Sequence, residues 1–198
     1  MSNHDSTGPI ILASTSPYRR ALLERLGLPF TCHGPDVDET PLAGESAPAL
    51  VMRLARNKAA QAGEKFPDAI IIGSDQVAVL GTDFLTKPGG PAQARKQLLQ
   101  LSGKAAVFQT GICVLNSATG SLQVDAVPCL VEFRKLDVEE IERYLSLEQP
   151  YGCAGSFKSE GLGIALLARI QGDDPTALVG LPLIRLGEML RNEGIRLP

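Results

Sequence analysis

The sequence has few of the features that mark nucleic-acid binding, structural zinc or secretion. Aromatic residues make up 5% of the 198 residues, the basic residues are dispersed and the net charge is −3, which disfavours a nucleic-acid interface. Four cysteines without a CxxC pair and only two histidines exclude the usual zinc-ligand spacing and favour reduced thiols. No apolar run approaches the roughly 18 residues that span a bilayer, and residues 1–9 lack a signal-peptide pattern. We therefore expect a cytoplasmic protein without membrane or nucleic-acid partners.

The length favours one domain, because domains typically hold roughly 100 to 200 residues. We expect residues 1–9 to form a disordered tail and residues 10–198 to form that single domain. A weak net charge gives no overall field that would hold a polyanion. Any phosphate chemistry must therefore depend on local clusters of basic side chains.

Hydrophobic periodicity predicts alternating strands and helices. Strands are expected at 10–13, 30–33, 69–73, 107–115, 122–133 and 162–170. Helices are expected at 18–26, 47–62, 91–101 and 183–192, and from the cap residue Asp137 to about residue 147. Turn residues at 117–120 join two long strands as an antiparallel hairpin. We therefore predict an α/β fold with a mixed, twisted, three-layer sheet and flanking helices rather than a purely parallel sheet.

The first strand runs directly into a helix that begins with polar and basic residues. Ser16 is a candidate N-cap before Pro17, and Ser14, Arg19 and Arg20 lie beside it. Free N–H groups at a helix start attract anions, and an arginine can pair two phosphate oxygens at once. The pattern indicates either a phosphate site or an ordinary capped helix with solvated arginines.

Lys58 falls on the apolar face of its predicted helix, in line with Val51, Leu54, Ala55 and Ala62. Its stem can cover apolar surface while the amine reaches water, or the amine can point into a cleft. The sequence leaves both interpretations open.

Carboxylates are placed where a metal or a reacting water is commonly held. Asp75 ends the predicted strand 69–73, with Val77 to Leu80 continuing it toward a turn, and ligands of open α/β sheets bind at the carboxyl ends of strands. Glu39 lies in an acidic loop, and two carboxylates from separate loops suit a hard cation that bridges phosphates. Solvated carboxylates would have the same pattern.

Two further lysines follow turns or glycines. Lys87 lies after the turn beside the Asp75 strand, and Lys158 lies in a glycine-rich loop that allows a ligand to approach the backbone closely. Both are either ligand-binding or ordinary surface lysines.

Together these segments resemble the ordered motifs of the Maf family of nucleotide pyrophosphatases. The matching segments are residues 11–20 (ILASTSPYRR), 38–40 (DET), 57–59 (NKA), 73–76 (GSDQ), 86–88 (TKP), 153–161 (CAGSFKSEG) and 178–182 (LVGLP). The resemblance covers nearly the whole chain after residue 9 and implies a fold akin to the inosine triphosphatases, usually dimeric. It also implies hydrolysis of a nucleoside triphosphate to a monophosphate and pyrophosphate with Mg²⁺, Mn²⁺ or Co²⁺.

The resemblance assigns roles to the matching positions. Asp75 is the expected general base and, with Glu39, the metal-side carboxylate. The expected phosphate-binding residues are Ser14, Arg19, Arg20, Lys58, Lys87 and Lys158. Cations there would neutralise the triphosphate and position a water in line with the leaving pyrophosphate.

Within the family, Tyr18, Gln76 and Glu160 resemble the branch that acts on 7-methyl-GTP. A guanine offers two donors that the Glu160 carboxylate can accept, and N7-methylation adds a positive charge that favours a carboxylate and an aromatic face. The sequence has Tyr18 where that branch has tryptophan. The alternatives are a pyrophosphatase for dTTP, UTP or other non-canonical nucleotides such as ITP, and a nucleotide-binding regulator of cell division or septum formation.

Overall fold

The computed structural model describes residues 8–197, which form one seven-stranded sheet with helices on both faces. The strands are β1 (Ile10–Ala13), β2 (Phe30–Cys32), β3 (Ile70–Leu80), β4 (Asp83–Leu85), β5 (Ala105–Asn116), β6 (Leu122–Phe133) and β7 (Leu167–Gln171). The helices are α1 (Pro17–Glu24), α2 (Ala47–Lys65), α3 (Pro91–Leu101), α4 (Val138–Glu148) and α5 (Leu183–Asn192). Most of the predicted tail, residues 1–7, lies outside the described residues. Its last residue, Pro9, accepts a hydrogen bond from the N–H of Ile70 at 2.9 Å.

The sheet is mixed, as predicted. The strand order is β2-β1-β3-β5-β6-β7, with β4 also paired to β3. The β1 strand runs parallel to β2 and β3, whereas β5, β6 and β7 continue the sheet in antiparallel pairs. The long β5–β6 hairpin was expected, because a tight polar turn separates two apolar runs.

Helices cover both faces of the sheet, which confirms the three-layer prediction. The α2 helix packs on one face against Ile71 and Val77. Side chains alternate across a strand, so Ile70 and Ile72 of β3 point to the opposite face, where they pack with α1 and α5. The helices α3 and α4 pack on that second face farther along the sheet, around Phe108.

Two predicted elements differ from the structure. The segment 162–166, predicted as the start of a strand, forms a short 3₁₀ helix, and β7 begins only at Leu167. Asp75 was predicted to end a strand but lies in the middle of β3. The first error arises because a short apolar run does not distinguish a strand from a helical turn. The second arises because polar residues that follow an apolar run resemble the end of a strand.

Strand pairing along one edge of β3 is interrupted, and this places Asp75 beside the end of the neighbouring strand β1. The β1 strand pairs with β3 only as far as Gly73, and β4 pairs with the same edge only from Ala78 onward. Residues 74–77 therefore have no strand neighbour on that side. Asp75 lies just beyond the carboxyl end of β1, although β3 itself continues past it.

Two glycines bring α2 unusually close to the sheet. A Cβ atom added to Gly73 would lie 2.1 Å from the backbone oxygen of Ala55, and one added to Gly111 would lie 2.1 Å from that of Val51. Both contacts are with helix backbone, which cannot move aside like a flexible side chain. The sheet residues beside Asp75 must therefore be glycine for α2 to lie at this height.

Gly73→Ala is expected to lift α2 from the sheet and to destabilise the protein by roughly 1–3 kcal/mol, the usual effect of overpacking. Urea unfolding followed by circular dichroism measures this change. Gly152→Ala is the control, because no atom lies within 4 Å of the added Cβ. Equal free energies of unfolding for the two variants would contradict the close-packing argument.

Candidate functional site

A cavity of about 710 Å³ lies at the interrupted edge of β3. It is bounded by the β1–α1 turn, the acidic loop before α2, the face of α2, and the segments 152–160 and 178–180. Nine of the predicted site residues line it: Ser14, Tyr18, Arg19, Glu39, Lys58, Asp75, Gln76, Lys87 and Glu160. Residues from distant parts of the chain are thus brought to one cleft.

Lys58 lies between two carboxylates in this cleft. Its Nζ donates to Oε1 of Glu39 and to Oδ1 of Asp75, each at 2.5 Å. The Lys58 side chain is only 8% exposed, so its amine points into the cleft and does not extend to open solvent. Of the two interpretations of this lysine on an apolar helix face, the cleft-facing one is correct.

Glu39 is also 3.6 Å from the amine of Lys87. Partial burial by itself would raise the pKa of Glu39, but the hydrogen bond and charge of Lys58, together with Lys87, outweigh it and hold that pKa below its ordinary value. Glu39 is therefore ionised at neutral pH.

The acidic loop that contains Glu39 is anchored to α2 on both sides of it. The Gln61 side chain exchanges two hydrogen bonds with the backbone of Asp36, both 2.6 Å. On the other side, Arg53 donates to the carbonyl of Thr40 at 3.1 Å and pairs with Glu45. These hydrogen bonds hold the loop in a fixed position relative to α2, and therefore relative to Lys58.

Arg19 faces the same cleft from α1. The Ser16 side chain accepts the N–H of Arg19 as the helix N-cap, and Nε of Arg19 donates to the carbonyl of Gly180 at 2.9 Å. Burial lowers the pKa of Arg19, and the nearby charges of Asp75 and Glu39 oppose that shift. The guanidinium stays charged, because an arginine pKa starts far above neutrality.

The side chain of Gln76 points to the face of β3 opposite to that of Asp75. The orientation of its amide is fixed by hydrogen bonds. Its Nε2 lies 2.9 Å from the carbonyl of Ala177 and 3.0 Å from that of Leu178. Carbonyls accept hydrogen bonds and do not donate them, so the amide nitrogen must face them. The amide oxygen of Gln76 is thereby left as an oriented acceptor.

Another part of the cavity lining, which we call the Tyr18 end, is formed by Tyr18, Cys153 and Glu160. Burial, followed by the proximity of Cys153, raises the pKa of Tyr18, so its phenol is neutral at physiological pH. The cation of Lys158 lies 5.2 Å from the centroid of the Tyr18 ring. This end therefore combines an aromatic ring with an exposed carboxylate.

Two of the predicted phosphate-binding residues are not brought to the cleft with the others. Arg20 lies outside it and pairs with Glu24 on the exposed side of α1. Lys158 lies at the Tyr18 end, where its amine pairs with Glu148 at 2.7 Å. A helix places consecutive residues about 100° apart, so Arg19 and Arg20 cannot face the same site.

The carboxylates fit a divalent ion only if a ligand completes its coordination. Among residues 8–197 no group of three or more histidine, cysteine or acidic side chains is arranged to hold a metal. Glu39, from a loop, and Asp75, from strand β3, nevertheless converge on Lys58. One or two carboxylates plus substrate phosphates are the usual ligands of Mg²⁺, and these two residues match that pattern.

The backbone of segment 177–180 contributes contacts to the site that residue types do not predict. The carbonyl of Gly180 accepts from both Arg19 and Ser74, and that of Ala177 accepts from Gln76 and Thr110. Asp174, which is 3% exposed, secures the segment by accepting the N–H of Ile184 at the start of α5. The motif at 178–182 was a signal for this segment, but backbone acceptors leave no side-chain signature.

The fold and the cleft define a class: a mixed α/β protein with a cation-lined cavity beside the end of a parallel strand. A family model described as Maf-like protein matches residues 9–193. The chain belongs to the Maf-like protein family. None of the helices in the described part of the chain is long and apolar enough to span a membrane.

Similar proteins extend over almost the whole chain. A 7-methyl-GTP pyrophosphatase of Pseudomonas fluorescens is 56% identical over 190 residues, covering 96% of this chain and 99% of that protein. Proteins of the same name from Nitrosococcus oceani and Alcanivorax borkumensis are 55% and 54% identical, covering 93% and 98% of this chain and of each relative. A HAM1 protein structure from Coxiella burnetii aligns over 65% of this chain and 74% of that chain, with 19% identity and a TM-score of 0.46.

Lys58→Met is expected to destabilise the protein by roughly 3–5 kcal/mol at neutral pH, because it removes the cation between two carboxylates, of which that of Asp75 is buried. The difference from the unmodified protein should shrink as the pH falls, since protonation removes the unpaired charges. The ion pair between Lys58 and Glu39 also weakens on acidification. Because the pKa of Glu39 is lowered in the folded protein, this pair stabilises the protein at neutral pH, and the stabilisation is lost as the pH falls. Urea unfolding at several pH values measures both effects.

The control for this variant is Arg95→Met, which removes an exposed cation paired with Glu142. Exposed ion pairs contribute little, typically about 0–1 kcal/mol. A Lys58→Met variant no less stable than Arg95→Met would contradict the buried-pair interpretation.

Proposed function

We propose that this protein is a nucleoside triphosphate pyrophosphatase that hydrolyses 7-methyl-GTP to 7-methyl-GMP and diphosphate, and so removes a modified nucleotide from the pool. The main support is the placement of Lys58 between Glu39 and Asp75, with Arg19 and Lys87 lining the same cavity. The names of the relatives at 54–56% identity support the same activity.

The cationic side chains that line the cavity near Asp75 suit a triphosphate. A triphosphate is a poor electrophile until its negative charge is neutralised. Arg19, Lys58 and Lys87 come from three separate segments and line one cleft, and the hydroxyl of Ser14 lies at the turn beside them. Fixed cations of this kind would bind the phosphates without reorganising during the reaction.

Asp75 is the proposed general base. Its carboxylate lines the cavity and is held at Oδ1 by Lys58, so its orientation is fixed before substrate binds. It would take a proton from the water that attacks the α-phosphorus, and the bond to the pyrophosphate oxygen would break in line. The pyrophosphate would leave beside the cationic side chains.

Glu39 and Asp75 are the proposed carboxylate ligands of a divalent ion, Mg²⁺, Mn²⁺ or Co²⁺. When bound, such an ion neutralises phosphate charge and orients the reacting groups. The cytoplasmic location and the homodimer that the resemblance implies belong to the same proposal.

The Tyr18 end of the cavity suits a methylated guanine. The exposed carboxylate of Glu160 can accept a pair of donors from the base, and the Tyr18 ring offers an aromatic face to a positively charged ring system. The oriented amide oxygen of Gln76 is a third element of the proposed base selection. A pyrimidine lacks the donor pair that Glu160 would accept.

We expect pyrophosphate release to be fastest with 7-methyl-GTP in a panel that also contains GTP, ITP, dTTP and UTP. Release should require Mg²⁺ or Mn²⁺ and should stop with chelator. Preference for a pyrimidine or for ITP would keep the reaction class and exclude this base selection. No release from any nucleotide would favour a nucleotide-binding regulator of cell division instead.

Within that panel, Glu160→Gln should reduce the preference for 7-methyl-GTP over GTP, because an amide loses the charge and one acceptor. Unchanged selectivity in this variant would exclude Glu160 from base recognition.

Asp75→Asn is expected to lower kcat by at least about 100-fold, since a positioned general base typically contributes 10²–10⁴-fold. The variant should stay folded by circular dichroism, because an amide oxygen can still accept from Lys58. Single-turnover hydrolysis of 7-methyl-GTP measures the effect. Near-normal turnover in a folded variant would remove Asp75 from this role.

A further inference from the structure

Glu148, the last residue of α4, has a buried carboxylate that the proposed function does not use. Its side chain is 10% exposed, and it does not line the cavity. One oxygen accepts from Nζ of Lys158 at 2.7 Å, and the other accepts the N–H of Leu162 at 2.6 Å. The hydrogen bond and charge of Lys158 hold the pKa of Glu148 below its ordinary value.

These two contacts bracket Glu160 on both sides. Glu148 binds the residue two positions before Glu160 and the residue two positions after it. The chain between them wraps tightly around the carboxylate, since a Cβ added to Gly161 would lie 2.3 Å from Oε2 of Glu148. Glu148, which lies outside the cavity lining, therefore holds the segment that places Glu160 at the cavity.

Glu148 also controls the charge beside Tyr18. Lys158 does not line the cavity, yet its amine lies 5.2 Å from the centroid of the Tyr18 ring, which does line it. An uncompensated cation there would repel a positively charged base at the same ring. The Glu148 carboxylate pairs with that amine and compensates its positive charge. The net charge at the Tyr18 end is then the negative charge of Glu160.

We propose that Glu148 is a positioning residue for base selection, which holds the Glu160 segment in place and neutralises Lys158 so that a cationic purine is preferred over a neutral one. This inference rests on the proposed base preference. It extends the set of selectivity residues to a pair, Glu148 and Lys158, that does not line the cavity.

The test compares the binding of 7-methyl-GMP and GMP by titration calorimetry, because binding is measured whether or not hydrolysis occurs. Glu148→Gln keeps an acceptor for Leu162 but loses the charge. It should weaken 7-methyl-GMP about tenfold, from an uncompensated cation in a partly buried site, and change GMP by less than about twofold. Glu142→Gln is the matched control on the same helix, where it breaks an exposed pair with Arg95, and should change neither.

Lys158→Met gives an independent result of opposite sign. It leaves the Glu148 charge uncompensated, so the preference for 7-methyl-GMP over GMP should rise by about threefold. In the double variant Glu148→Gln with Lys158→Met, the preference should return to within about threefold of the unmodified protein. A merely structural role would instead weaken both ligands together in every variant.

Equal changes for 7-methyl-GMP and GMP, or shifts of the same sign in Glu148→Gln and Lys158→Met, would overturn the inference. Failure of the proposed function looks different. If the unmodified protein prefers 7-methyl-GMP but releases no pyrophosphate, the enzymatic proposal fails, and the ratios still decide the role of Glu148. If it shows no preference for 7-methyl-GMP, the base preference fails and this inference fails with it.

Discussion

The ion cluster of Lys58 with Glu39 and Asp75 is the interaction on which the rest of the site depends. Lys58 comes from a helix, Glu39 from a loop and Asp75 from a strand, so the cluster forms only if all three are held at fixed separations. Gly73 and Gly111 allow the backbone of α2 to approach the sheet closely. Gln61 and Arg53 hold the acidic loop on the same helix. Packing and hydrogen bonding therefore offset the high desolvation cost of gathering three buried or half-buried charges.

The cavity itself results from an interruption in strand pairing. The edge of β3 is paired with β1 up to Gly73 and with β4 from Ala78, and Asp75, Gln76 and Val77 between them line the cavity. The segment 177–180 lies beside this interruption and satisfies Arg19, Ser74 and Gln76 through its backbone carbonyls. One short piece of backbone thus holds side chains from α1 and from β3 beside the cleft.

Much of the fold follows from local sequence, and some of the site does too. The helix α2 was predicted from its apolar stripe, and Lys58 on that stripe was the clearest unusual feature. The position of Asp75 was predicted for a reason that proved incomplete: an apolar run followed by polar residues indicates a strand end, whereas β3 continues to Leu80. Arg20 was grouped with Arg19 because they are adjacent in sequence, although a helix turns them to different surroundings.

The sequence by itself determined the alternation of strands and helices, the identity of the charged residues, and the resemblance to the Maf family. These depend on residue type and spacing, which local physics constrains. Only the tertiary structure decided that Lys58 points into the cleft, that Arg20 and Lys158 lie apart from it, and that Glu148 holds the segment around Glu160. Such contacts join residues far apart in the chain, and which of them form depends on how helices and strands pack, not on local propensity.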